Sequence, residues 1–101
     1  MPYYEVLVDD NYHFMDPDER YSAGRFETAE AALAECRKMV DSYLAGIMAP
    51  RATPAGLVQF YQLFGDDPFI VARDGAPDVK FSAWDYAEQR AREMCELAGA
   101  E

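Results

Sequence analysis

Basic residues, histidine and cysteine are all scarce in this sequence. Nine Lys and Arg stand against nineteen Asp and Glu, a net charge of −10. A surface of that sign repels phosphate backbones and anionic headgroups, so direct binding to nucleic acid or to a membrane surface is disfavoured. The single histidine, His13, has no second histidine or nearby cysteine with which to build a zinc site. Two cysteines, Cys36 and Cys95, show neither CxxC nor Cys/His spacing, so reduced thiols and a cytoplasmic setting are expected. No apolar run approaches the ~18 residues of a membrane span. The opening MPYYEVLVDD has no basic segment and reads directly as a strand, so no secretory leader is expected. Repeats, a glycine-rich phosphate loop, a Ser-His-Asp order and HExxH are also missing.

What the chain does have is apolar mass. Half of its 101 residues are apolar and 14% are aromatic, enough for a core without metal or disulfide. A single domain over residues 1–101 follows, one that buries about two-thirds of its unfolded surface. Tyr3–Val8 and Tyr12–Met15 are rich in β-branched and aromatic residues and read as strands. Between them Asp9, Asp10 and Asn11 suit a three-residue hairpin loop, with Asn in the left-handed position. That register sets Val8 opposite Tyr12 and Val6 opposite Phe14, giving a core face of Tyr4, Val6, Val8, Tyr12 and Phe14.

Asp16–Glu19 is a turn, and a third strand is expected over about Arg20–Phe26. Thr28 then caps a helix on which Ala29, Leu33, Cys36, Met39, Val40, Tyr43, Leu44 and Ile47 recur at helical spacing, with Glu30 complementing the dipole. Thr53-Pro54 starts a second helix that ends at Gly65. Pro68–Ala72 is apolar throughout and reads as an interior strand entered through its first-position proline. The segment RDGAPD is turn chemistry. Ser82 with Asp85 starts a last helix with Trp84, Ala87, Ala91, Met94, Cys95 and Ala98 inward. The Met and aromatic stripe on the helices is assigned to the core. The predicted architecture is α+β, in the order β-β-β-α-α-β-α: a four-stranded, mainly antiparallel sheet with three helices on one face.

The stretch VDDNYHFMD (Val8–Asp16) crowds three carboxylates, an amide and the histidine into nine residues. As a calcium loop starting at Asp9 it would need Gly at position 14 and Glu at position 20, where Phe14 and Arg20 stand. It reads as a hairpin turn with a solvent-facing imidazole. Cys36 and Cys95 fall on apolar helix stripes, where thiols stay protonated and inert. The Asp66-Asp67 pair in GDDP reads as a cap and strand entry, although paired carboxylates can do acid–base work when a pocket splits their pKa values.

With VDDNYHFMD, FGDDPFIV and FSAWDYAEQRA in place, the chain resembles a group of short bacterial proteins of unassigned activity. The resemblance covers nearly the whole length. It implies a small cytoplasmic bacterial protein and carries no activity, cofactor or catalytic residue.

The sequence therefore assigns no catalytic residue, cofactor or metal ligand. It points to a small acidic interaction module rather than an enzyme, forming a homodimer and open to a basic protein partner. The interface is expected where a sheet covered on one side leaves Tyr3, Glu5, Leu7, His13 and Met15 on the other. The rival is a ligand-binding domain or enzyme with a pocket between the Ala45–Pro54 connector and the sheet, drawing on Asp66, Asp67, Arg73 and Tyr61. A further alternative is an acidic inhibitor that mimics DNA.

Overall fold

The computed structural model describes residues 1–10, 20–49 and 52–99. Tyr3–Asp10 forms β1, with large side chains alternating to both sides over Tyr3–Val8; among the described residues it is the central strand of a three-stranded antiparallel sheet. Strands β2 (Tyr21–Phe26) and β3 (Asp66–Arg73) flank it in the order β2-β1-β3. Three helices complete the fold among the described residues: α1 (Ala29–Ile47), α2 (Pro54–Phe64) and α3 (Ala83–Gly99).

Each helix begins at a residue that satisfies a free backbone amide. Thr28 accepts from the Ala31 amide at 3.2 Å, Thr53 from Gly56 at 3.1 Å and Ser82 from Asp85 at 3.2 Å. Gly65 closes α2 by donating its amide to the Tyr61 carbonyl at 2.8 Å. Its φ of −80° is not left-handed. Glycine stands there because of close approach, since an added Cβ would lie 2.5 Å from the Tyr61 ring and 2.8 Å from the Tyr61 carbonyl oxygen.

Alternation along β1 divides the sheet into two faces. Tyr4, Val6 and Val8 are buried, and Ala32 and Cys36 of α1 pack onto them. A second cluster joins Val40 and Leu44, farther along α1, to Leu57 and Tyr61 of α2 and Ala83, Ala87 and Ala91 of α3. Phe81 packs against both clusters. The buried positions of α1, at residues 32, 36, 40 and 44, form one stripe that serves both. The Tyr86 hydroxyl and the Arg90 guanidinium each donate to one carboxylate oxygen of Asp41 at 2.9 Å, tying α3 to α1.

The α+β class, the antiparallel pairing and the three helices stand; the strand count and order change. Among the described residues the sheet has three strands, not four, in the order β-β-α-α-β-α. The strand expected over Tyr12–Met15 lies outside the described residues. Its expected register is excluded because both edges of β1 are taken. Val8 sits between Tyr21 and Pro68, and Val6 between Gly24 and Ile70. Asp9 and Asp10 are not a loop: they continue β1 opposite Asp67 and Asp66. Strand β3 is an edge strand rather than an interior one, which also accommodates Pro68 within it. Against β2 the ladder slips between Val6 and Leu7, leaving Ala23 as a bulge beside Gly24, whose φ of +130° suits only glycine.

Two side-chain assignments are corrected as well. Trp84, expected inward, is 40% exposed. Helix α3 turns its alanines at 83, 87 and 91 to the core, and the next residue is rotated by about 100° from that line. The aromatic residues of α2 are not all core either. Phe60, Leu63 and Phe64 are 45%, 52% and 46% exposed, because α2 buries only the side carrying Leu57 and Tyr61.

Candidate functional site

The face of β1 turned away from the helices carries Tyr3, Glu5, Leu7 and Asp9. Antiparallel register sets Arg73, Val71, Phe69 and Asp67 of β3 beside them, with Arg25 and Ser22 of β2 on the other flank. Tyr3, Leu7, Phe69 and Val71 are half-buried. Among the described residues only the start of α3 comes near this face, beside Asp67 and Phe69, and long arginine side chains lie over its aromatic rings. The Arg25 guanidinium sits 5.2 Å from the Tyr3 ring centroid, and that of Arg20 sits 5.1 Å from the Phe69 centroid.

Polar groups bind the strands crosswise. Ser22 donates to one Glu5 oxygen at 3.0 Å, and Arg73 donates to the other from two nitrogens, at 3.0 and 3.3 Å. These bonds favour the ionised carboxylate and hold Glu5 below the ordinary glutamate value, Ser22 contributing most and Arg73 next. Arg20 forks onto Asp9 at 2.6 and 3.2 Å, which raises the arginine above its usual value. Three arginines (20, 25 and 73) thus share the face with three carboxylates (5, 9 and 67), two of which are ion-paired, so its formal charges balance on a chain that carries −10.

Asp67 differs from the other two acids. Burial, and then the charge of Asp9 across the ladder, push its carboxyl up to about 6. It borders an open groove of about 610 Å³ whose other walls are Asp9, Arg20 and Phe69 of the sheet and residues 81–85 at the start of α3. A carboxyl raised in this way binds more protons in the folded state than in the unfolded one. Its contribution to stability is full below pH 4 and is lost as the pH rises through about 6. Asp67→Asn is therefore expected to flatten the fall in stability between about pH 4 and 6 and to raise it at pH 8. The gain is on the order of 1 kcal/mol after allowance for solvent screening, measured by urea unfolding at each pH. An unchanged slope in the variant would mean that Asp67 titrates normally.

Of the interface residues chosen from the sequence, Tyr3, Glu5 and Leu7 come together on this face. His13 and Met15 lie outside the described residues. Arg20, Arg25, Phe69 and Val71, which complete the face, were not assigned to it. The signal for Phe69 and Val71 was the apolar character of both alternating sets in Pro68–Ala72, which filled two faces of one strand.

The rival pocket does not assemble as expected. Arg73 pairs at the Tyr3 end of the sheet and Asp66 at the Asp10 end, about 23 Å apart along the strand. The fully buried Tyr61 donates its hydroxyl to the Asp66 carbonyl. Beside the connector the depression is lined by apolar residues such as Ile47, Ala52 and Leu57, with neither aspartate among them. Cys36 is fully buried and its thiol is pushed up to about 12, chiefly by desolvation. Cys95 is half-buried, its Sγ 3.5 Å from the Ala52 carbonyl oxygen. Comparison with protein-family models, with curated proteins and with solved structures gives no match. Among the described residues, no helix is long and apolar enough to cross a membrane.

Proposed function

We propose that the protein is a small acidic, non-enzymatic interaction module that self-associates as a homodimer through the uncovered sheet face. The observation that carries this reading is the charge-balanced, half-apolar strip formed by Tyr3, Leu7, Phe69 and Val71 with its two arginine–carboxylate pairs, Arg20–Asp9 and Arg73–Glu5. Over the acidic parts of the surface two copies bring like charges together; here they do not. At 0.15 M salt the remaining repulsion is screened beyond ~8 Å, so apolar contact prevails locally. A two-fold pairing is the commonest closed way to bury such a strip. The surplus negative charge elsewhere suits a basic protein partner, and a bacterial cytoplasmic setting belongs to the same proposal. The groove beside Asp67 favours a second reading, a small-ligand site, through the raised carboxyl on its wall.

Leu7→Lys tests the dimer. It places a charge in the middle of the strip without touching the buried face. Sedimentation equilibrium at physiological salt is expected to show a dimer for the wild type. The variant should lose that contact while its circular dichroism and unfolding transition are retained. A folded Leu7→Lys protein with the wild-type mass would overturn the sheet face as the interface.

A further inference from the structure

Helix α2 presents the most exposed group of large apolar side chains among the described residues. Phe60, Leu63 and Phe64 lie at helical i, i+3 and i+4 positions, each about half-exposed. Phe60 and Phe64 pack ring to ring at 5.0 Å, forming a ridge. Beside the ridge lies an apolar hollow of about 620 Å³, lined by Ile47, Ala52, Gly56 and Leu57, with Phe60 on its border. Ridge and hollow share one helix, and Leu63 stands two turns beyond Gly56, ~10 Å along the axis.

No charged residue occurs from Ala52 to Gly65, fourteen positions in a chain that carries nineteen acids and nine bases. A basic partner is steered to charged surfaces and gains nothing electrostatic from this one. For a second chain of the same −10 charge, it is a place to meet without opposing like charges.

We infer that the outer face of α2 is a second self-association surface, distinct from the sheet face, at which the α2 helices of two copies pack antiparallel. The ridge at Leu63 and Phe64 of each copy fills the hollow at Gly56 of the other. Such a contact is isologous: the hollow in each copy is as far from the two-fold axis as the ridge that fills it. Gly56 has no side chain, so the partner's leucine can approach its backbone. The surface is one helix of eleven residues, small against a standard interface, so the contact is weak and forms only at high protein concentration. The inference does not depend on the sheet-face reading.

Sedimentation equilibrium from micromolar to hundreds of micromolar, at 0.15 M salt, separates the two surfaces. The wild type is expected to gain mass in a second step at the top of this range. Leu63→Lys should lose that step alone, its dissociation constant weakened at least tenfold, and retain the sheet-face dimer. Gln59→Glu leaves every apolar side chain in place and adds a charge beside the two-fold. It should weaken the step in the same direction and guards against a folding defect in Leu63→Lys. Leu7→Lys should keep the step, and the Leu7→Lys, Leu63→Lys double variant should be monomeric throughout. A wild type without the concentrated-range step, or folded Leu63→Lys and Gln59→Glu proteins that associate as the wild type does, would overturn the inference and leave the α2 face to a different partner. If only Leu7→Lys were without effect, the sheet-face proposal would fail and the α2 contact would stand.

Discussion

Val6→Lys is expected to abolish the cooperative native state. Val6 is fully buried at the centre of the central strand, between Gly24 and Ile70, and belongs to the cluster with Ala32 and Cys36. A lysine there must either carry its ammonium into an apolar layer or push α1 off the sheet. An unpaired buried charge costs several kcal/mol even after relaxation, and the lost valine packing adds to it. Domains of this size hold only about 5–15 kcal/mol in total. The expected result is loss of the sigmoidal urea transition, or a loss of more than about 4 kcal/mol where a transition survives. Leu7→Lys, one residue along, should lose less than about 1 kcal/mol, because its side chain faces solvent and the arginine-covered strip. If the two variants exchanged these outcomes, the faces of β1 would be reversed, as a one-residue slip in register would make them.

Tyr61→Ala is the second large effect. Tyr61 is the largest fully buried side chain of the helical cluster. Its ring meets Tyr43 edge-on at 5.6 Å, its hydroxyl donates to the Asp66 carbonyl, and Gly65 lies against the ring. Truncation leaves a cavity between three helices and removes the hydrogen bond to the Asp66 carbonyl at the corner where α2 becomes β3. Losses of about 3–5 kcal/mol accompany large-to-small changes at buried aromatic sites. Tyr61→Phe keeps the ring and removes only the hydroxyl, so about 1 kcal/mol is expected. The two together divide packing from hydrogen bonding. Equal losses in chemical denaturation would show that the hydroxyl, not the ring, holds the corner.

The helix starts were legible in the sequence. Thr28, Thr53 and Ser82 each cap a helix within three residues of themselves, and capping is decided by that short stretch of chain. The core face of β1 was legible too, because alternation assigns Tyr4, Val6 and Val8 together whatever lies next to the strand. Hence Tyr3, Glu5 and Leu7 fell correctly on the opposite side. Part of the candidate site was thus visible, but only the part on β1.

Local preference misled where a distant contact outweighed it. Asp9 and Asp10 have turn chemistry, yet pairing with Asp67 and Asp66, and the Arg20 fork on Asp9, keep them in the strand. Helical spacing placed the aromatics of α2 in the core, but spacing alone does not say how wide a stripe the neighbouring helices cover. With α1 and α3 burying only Leu57 and Tyr61, the rest of that apolar helix is left outside.

By itself the sequence determined the helices, their caps, the alternation of β1 and the acidic balance, all settled within a few residues or by composition. Only the tertiary structure decided that β1 is central, that Arg73 reaches Glu5 and Arg20 covers Phe69, and that the apolar face of α2 stays exposed. These depend on segments far apart in the chain meeting in one register among several. The free energy that selects that register is spread over every contact it makes and belongs to no single stretch of residues.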